Sequence, residues 1–188
     1  MAAQSTLKNM ALCLTLVCLI CSAVLGVAYA VTLEPVKAAQ AAKTNKAIAK
    51  VLPEFTGDVA EQSVSFEGVE YTYYKTSSGY AIISVTNGFG GALAVMVGIT
   101  SDGKVYNTSV ISHSETPGLG AKCQNDEGFL GQFRNLDPAS TRLAVTKDGG
   151  DIDAITASTI TSRAYTLAVA NAVKVFGTLT NEGGKDNE

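Results

Sequence analysis

From Met10 to Leu33 the chain runs 24 residues without a charged side chain, and Lys8 is the only charged residue before Glu34. As a helix rising 1.5 Å per residue, such a stretch spans about 36 Å, enough to cross a hydrocarbon core of about 30 Å. Thr15, Ser22 and Thr32 interrupt it only with hydroxyls, which can bond back to carbonyls of the preceding turn. A secretory core runs to roughly 7–15 residues, so the length favours a retained transmembrane helix over 10–33 behind a short tail, 1–9. The competing reading is a cleaved signal, for which Ala28-Tyr29-Ala30 fits the small-x-small site. Either way the remainder is exported. The lysines oppose that orientation, because Lys37, Lys43, Lys46 and Lys50 follow the segment and positive-inside counting puts their side in the cytoplasm.

The rest of the chain holds all 17 Asp+Glu and all but one of the 14 Lys+Arg, with one His and no Trp. A mildly acidic body of this kind lacks the basic stripe and aromatic platforms of a nucleic-acid binder. Cys13, Cys18 and Cys21 lie inside the apolar segment, leaving Cys123 alone in the body. That excludes an intradomain disulfide and a cysteine-ligated metal or iron–sulfur site there.

After Glu34-Pro35 an Ala/Lys stretch carries Val36, Ala39, Ala42, Ile48 and Val51 at helical spacing, and Pro53 closes it. It reads as a helical linker over 34–54. Strand signals then follow at Ser63–Phe66, Glu70–Lys75, Gly79–Thr86, Ala92–Thr100 and Lys104–Ser112, with turn residues between them. Asp102-Gly103 is the clearest hairpin signal. A short helix is expected near Asp126–Arg134, and a further strand near Arg142–Thr146. A last helix is expected over Ile160–Phe176, stopped by Gly177, with Ala164, Leu167, Ala168, Ala172 and Val175 on its main apolar face. The body over 55–177 is thus an α+β domain, an antiparallel sheet flanked by helices behind a single transmembrane helix, with a flexible tail over 178–188.

Enzymatic constellations are thin. His113 is the only histidine, no Gly-x-Ser-x-Gly elbow or phosphate-binding P-loop is present, and Gly88-Phe89-Gly90-Gly91 precedes a strand, as a turn would. Two segments remain. In His113–Gly120 (HSETPGLG), Pro117, Gly118 and Gly120 permit sharp turns and close amide approach, and Thr116 offers a hydroxyl; a plain structural turn is the alternative. Within Asp153–Ser162 (DAITASTITS), five hydroxyl residues fall in seven positions where the last helix begins. One or two would cap the helix; five exceed that need, and a helix amino end is a ready phosphate site.

These two segments, in this order behind one membrane segment, resemble the FMN-binding domain family. The family includes the G subunit of the Rnf ion-translocating electron transport complex and the C subunit of the sodium-pumping quinone reductase. The resemblance rests on Thr156-Ala157-Ser158-Thr159-Ile160-Thr161, on Glu115-Thr116-Pro117-Gly118-Leu119-Gly120, and on the glycine-rich strand pair from Gly88 to Val105. It implies FMN attached by a phosphoester to Thr161, installed by a separate flavin transferase. It also implies cofactor contacts from Glu115, Thr116, Gly118, Leu119 and Gly120, with Lys147, Ser158 and Thr159 beside the flavin or its phosphate. Asp153 matches an acidic position of the motif.

By this resemblance the chain is a single-pass bacterial membrane electron carrier, its domain outside the cytoplasm. It would be a redox subunit of a multi-subunit ion-translocating ferredoxin:NAD oxidoreductase, without catalytic residues or metal ligands of its own. One departure stands out: Ala157-Ser158 replaces the usual Gly-Ala pair. A free-standing exported flavoprotein and a non-redox exported domain of the same fold remain as alternatives.

Overall fold

The computed structural model describes residues 7–55 and 59–182. The chain divides into two units, Met1–Lys43 and Thr44–Glu188. Helix α1, Leu7–Val51, begins in the first and ends in the second. Over its first part the apolar side chains are exposed, and among the described residues α1 is the one helix long and apolar enough to cross a membrane, with mean hydropathy 2.6 over 18 of its residues. The hydroxyls behave as expected: Thr15 Oγ1 donates to the carbonyls of Ala11 and Leu12 (both 3.0 Å), and Thr32 Oγ1 to that of Ala28 (2.8 Å). Pro35 lies inside α1 and has no N–H to offer the carbonyl one turn back.

In the second unit five strands form one antiparallel sheet in sequence order: β1 (Ala60–Phe66), β2 (Val69–Thr76), β3 (Gly79–Asn87), β4 (Ala92–Thr100) and β5 (Val105–His113). Each matches an expected strand to within a few residues. Glu67 and Gly68 both take positive φ (51° and 78°), the two-residue turn whose twist suits a hairpin. The Asp102-Gly103 hairpin is a three-residue loop instead, with Gly103 at φ 85° and Thr100 N–H bonded to the Lys104 carbonyl at 2.9 Å.

Alternation divides β4 between two core layers. Leu93, Val95, Val97 and Ile99 face helix α3 (Thr159–Glu182), whose Ala164, Tyr165, Ala168, Val169, Ala172 and Val175 are buried. Met96 faces the opposite side, where Ala47, Ile48, Val51 and Leu52 from the end of α1 pack with Tyr74 and Ala81. The expected linker thus ends inside a core. Gly98 makes this possible, because a Cβ there would overlap the Val51 carbonyl. On the α3 side, Tyr165 packs edge-on against Phe129 of the short helix α2 (Glu127–Gly131) and lies tilted against Phe133, both rings at 5.1 Å. Its hydroxyl donates to Thr108 Oγ1 at 2.7 Å, and burial pushes its pKa well above the usual tyrosine value.

Three expectations are corrected. Arg142–Thr146 is not a strand: it makes only an isolated bridge, Val145 to Ile152, within a loop pinned by the Arg142 N–H on Asp151 Oδ2 (2.6 Å). Helix α3 does not stop at Gly177 but runs to Glu182, because Gly177 takes no left-handed conformation and Leu179 still packs against the core. Leu167 lies on the exposed side of α3, and Tyr165 holds the central buried position. Residues 1–6 and 183–188, where parts of the two tails were expected, lie outside the described residues.

Candidate functional site

Where β5 ends, the chain turns under the loop between β3 and β4. Gly88 N–H closes that loop on the Gly91 carbonyl (2.8 Å), and Gly90 lies so close to the Ser114 carbonyl that a side chain could not fit. Glu115 follows, and its carboxylate bridges three segments. Oε1 accepts from Phe89 N–H at 2.8 Å, and Oε2 accepts from the Thr161 hydroxyl at 2.9 Å. Its own amide donates to His113 Nδ1 (3.2 Å), which fixes that imidazole nitrogen as an acceptor. Glu115 is 5% exposed and Thr161 1% exposed. Gly120 opens a 3-10 turn, Gly120–Gln124, and touches both: a Cβ there would collide with Glu115 Oε2 and lie 2.7 Å from Thr161 Oγ1.

The sequence sets up the amino end of α3 locally. Ser162 Oγ accepts from Ile155 N–H and donates to the Ser158 carbonyl, each at 3.0 Å, so this hydroxyl closes the helix entry. Ser158 precedes the first helical residue, yet its Oγ is buried and bonds to no protein group among the described residues. The cap hydroxyl is not spent on the helix's own amides. Those of Thr159, Ile160 and Thr161 have no intrahelical partner, by the geometry of a helix start. Ala157, one residue earlier, has φ 62°, the left-handed region that glycine occupies without strain.

These pieces enclose a cavity of about 360 Å³ lined by Phe89, Glu115, Thr116, Leu119, Gly120 and residues 157–161. Apolar surface dominates its mouth, where Phe89 (69% exposed), Leu119 and Ile160 present large side chains to solvent. Polar groups gather at its floor. The structure therefore brings together seven of the nine residues singled out from sequence: Glu115, Thr116, Leu119, Gly120, Ser158, Thr159 and Thr161. Gly118 forms the turn behind the lining at φ 78°. Lys147 stands beside the cavity, its Nζ donating to Thr159 Oγ1 at 3.1 Å. The neighbouring Asp148 makes a two-pronged ion pair with Arg163 (2.6 and 2.7 Å), which ties the Lys147 turn to α3, holds the Asp148 carboxyl below the usual range and raises the guanidinium further.

Sequence reasoning missed Phe89, read there as part of a turn; a large aromatic between glycines in a loop was the available signal. Asp153 faces elsewhere, into a second hollow of about 310 Å³ with Asp126, Gln132 and Thr156. Gln132 grips the Asp153 backbone from both sides (2.7 and 3.1 Å). Cys123 lies buried near Glu115, and its thiol is pushed up to about 11 by burial first and by the Glu115 charge second.

The residues present fit a flavin phosphate. An orphaned buried hydroxyl, the buried Thr161 and helix-end amides converge on one floor, under an apolar mouth suited to a planar ring. A family model described as the FMN-binding domain matches residues 88–174, which contain the whole cavity lining. The chain is 33% identical over 181 residues to the G subunit of the ion-translocating oxidoreductase complex of Cereibacter sphaeroides, covering 88% of this chain and 82% of that protein. To the same-named subunit of Methanosarcina acetivorans it is 36% identical over 164 residues, covering 82% and 86%. The chain belongs to this G-subunit family.

A G-subunit relative from Clostridium ljungdahlii, named for a proton-translocating ferredoxin:NAD(+) oxidoreductase complex, is 44% identical over 109 residues. That match covers 56% of each protein. The match to the FMN-binding domain begins in the loop before β4, takes in β4 and β5, and ends within α3, so it spans the segments that build the cavity.

Proposed function

We propose that this chain is a membrane-anchored electron carrier that holds FMN through a phosphoester at Thr161 and serves as the G subunit of an Rnf-type ion-translocating ferredoxin:NAD oxidoreductase. The observation that carries this reading is the Thr161 hydroxyl, buried at the cavity floor and oriented by Glu115 at the third residue of α3. When bound, the isoalloxazine ring accepts and passes on electrons; the protein supplies position, burial and electrostatics.

Each residue has a separable task. Thr161 provides the oxygen, and the helix end offsets part of the phosphate charge. Ser158 Oγ has a free donor for a phosphate oxygen, while Thr159 lines the cavity and Lys147 stands beside it, bonded to Thr159. Phe89, Leu119 and Ile160 offer an apolar slot in which a ring is shielded from water. Thr116 and Gly120 stand where ring or ribityl groups would pass. Ala157 keeps the left-handed backbone that the glycine of the usual motif would take, which supports loading despite the substitution.

Residues 10–33 supply the membrane span, with the domain on the extracytoplasmic side of the cytoplasmic membrane; the other proteins of the complex and a flavin transferase are the partners. Co-expression with a flavin transferase, followed by a denaturing gel, is the decisive test. A fluorescent band and an FMN adduct on the peptide containing Thr161 are expected, and Thr161→Ala should abolish both while far-ultraviolet circular dichroism stays unchanged. Absence of any adduct beside an active transferase overturns the covalent assignment. The neighbouring genes discriminate a free-standing carrier from a component of a complex.

A further inference from the structure

The carboxylate of Glu115 is nearly fully buried, and no Lys, Arg or His ion pair reaches it among the described residues. Its two partners are a backbone N–H and the Thr161 hydroxyl. No other protein group is hydrogen-bonded to that hydroxyl among the described residues, and the nearby Lys147 is engaged with Thr159. Gly120 packs against both Glu115 Oε2 and Thr161 Oγ1, so the two oxygens are held in register. A threonine hydroxyl is a weak nucleophile until a base takes its proton. The group in place to do so belongs to this chain.

We propose that Glu115 is the base that receives the Thr161 proton when the phosphoester forms, and that it holds this proton afterwards as a neutral carboxyl group. The inference rests on Thr161 being the attachment residue. In the step, Thr161 Oγ1 attacks the flavin-side phosphorus of a flavin adenine dinucleotide presented by the transferase. The Oγ1–P bond forms, the P–O bond to the adenylate breaks, and AMP leaves with that electron pair. The proton passes from Oγ1 to Glu115 Oε2 along the existing 2.9 Å contact, and no group is oxidised or reduced.

After the step Oγ1 carries no hydrogen. A charged Glu115 would then face an anionic phosphodiester across the same contact with no donor between them, a costly arrangement for buried groups. A proton on Oε2 restores the hydrogen bond with donor and acceptor exchanged. Glu115 thus serves twice, first as acceptor of the proton and then as donor to the finished ester.

The test uses the purified full-length chain in detergent, a purified flavin transferase with its metal ion, and FAD. Glu115→Gln preserves an oxygen for Phe89 N–H but cannot take the proton. Its loading, followed as fluorescence on denaturing gels, should be slower by about 10²–10⁴-fold, the usual contribution of a positioned base. Loading of Glu115→Gln at the unaltered chain's rate overturns the proposal. The second measurement needs no variant: infrared difference spectra of loaded minus unloaded protein should gain a protonated-carboxyl carbonyl stretch that shifts in D₂O. A loaded protein without that band overturns the retained proton, even if Glu115→Gln fails to fold. Failure of the unaltered chain to load at all overturns the attachment at Thr161 instead.

Discussion

Ala157 allows the sharpest energetic prediction. Its φ of 62° places a residue with a Cβ in the left-handed region, which costs an L-residue about 1–2 kcal/mol. Glycine removes that strain but gives up about 0.4–1 kcal/mol through the larger entropy of its unfolded chain. The Ala157 side chain is exposed, so its methyl contributes little packing that the substitution would lose. Ala157→Gly should therefore stabilise the protein by about 0.5–1 kcal/mol, the difference of those two effects. For a chain of this size that is a rise in Tm of about 1–4 °C. Thermal unfolding in detergent, followed by far-ultraviolet circular dichroism, reads it directly. Ala157→Val is the opposing control and should lower Tm, since a β-branched residue fits this region worst. An Ala157→Gly protein with unchanged or lower Tm, or a neutral Ala157→Val, would refute the claim that this backbone is held in the left-handed region.

Three further outcomes follow from the same geometry. Gly98→Ala should destabilise by about 1–3 kcal/mol in urea unfolding, because its Cβ enters the Val51 carbonyl and forces the end of α1 off the sheet. Ser158→Ala should leave the unloaded protein as stable or up to about 1–3 kcal/mol more stable, since it removes a buried hydroxyl without a partner, while the loaded protein should lose that advantage; equal shifts in both forms would show that Ser158 does not meet the phosphate. Cys123, with its thiol raised from 9.0 to about 11, binds its proton more tightly folded than unfolded. Its contribution to stability is therefore complete below about pH 9 and declines as pH rises towards about 11. In a Cys13→Ser, Cys18→Ser, Cys21→Ser background, thiol reagents at neutral pH should label the protein only after denaturation.

The sheet was legible because its signals are local. Period-two alternation and turn residues mark all five strands, and the buried face of α3 follows from helical spacing. Arg142–Thr146 shows where such signals fail, since Leu143 and Val145 alternate as a strand would, while among the described residues only a single bridge, Val145 to Ile152, receives them. Gly177 looked like a stop on composition alone, but a glycine ends a helix by its conformation, and the packing of Leu179 keeps this one helical. The site was legible as two separate segments. Their meeting was not: Glu115 and Thr161 lie 46 residues apart, and only the path of β5 and α3 brings the carboxylate to the hydroxyl. Phe89 stood out only as a large aromatic between glycines; the bond from its backbone N–H to Glu115 Oε1, which ties its loop to the cavity, depends on a residue 26 positions away.

The last turns of α1 carry a consequence for anyone shortening this protein. Ala47, Ile48, Val51 and Leu52 are the second wall of the sheet, so the segment that joins membrane and domain is also part of the domain's interior. A soluble version cut just before the first strand would bare one face of β2–β4 by removing the four residues that cover Tyr74, Ala81 and Met96, whatever the state of the flavin site. The cut belongs ahead of Thr44, where the second unit begins. Insertions between span and sheet are constrained in the same way, because added residues after position 46 displace a core helix, whereas added residues before it only lengthen a tether.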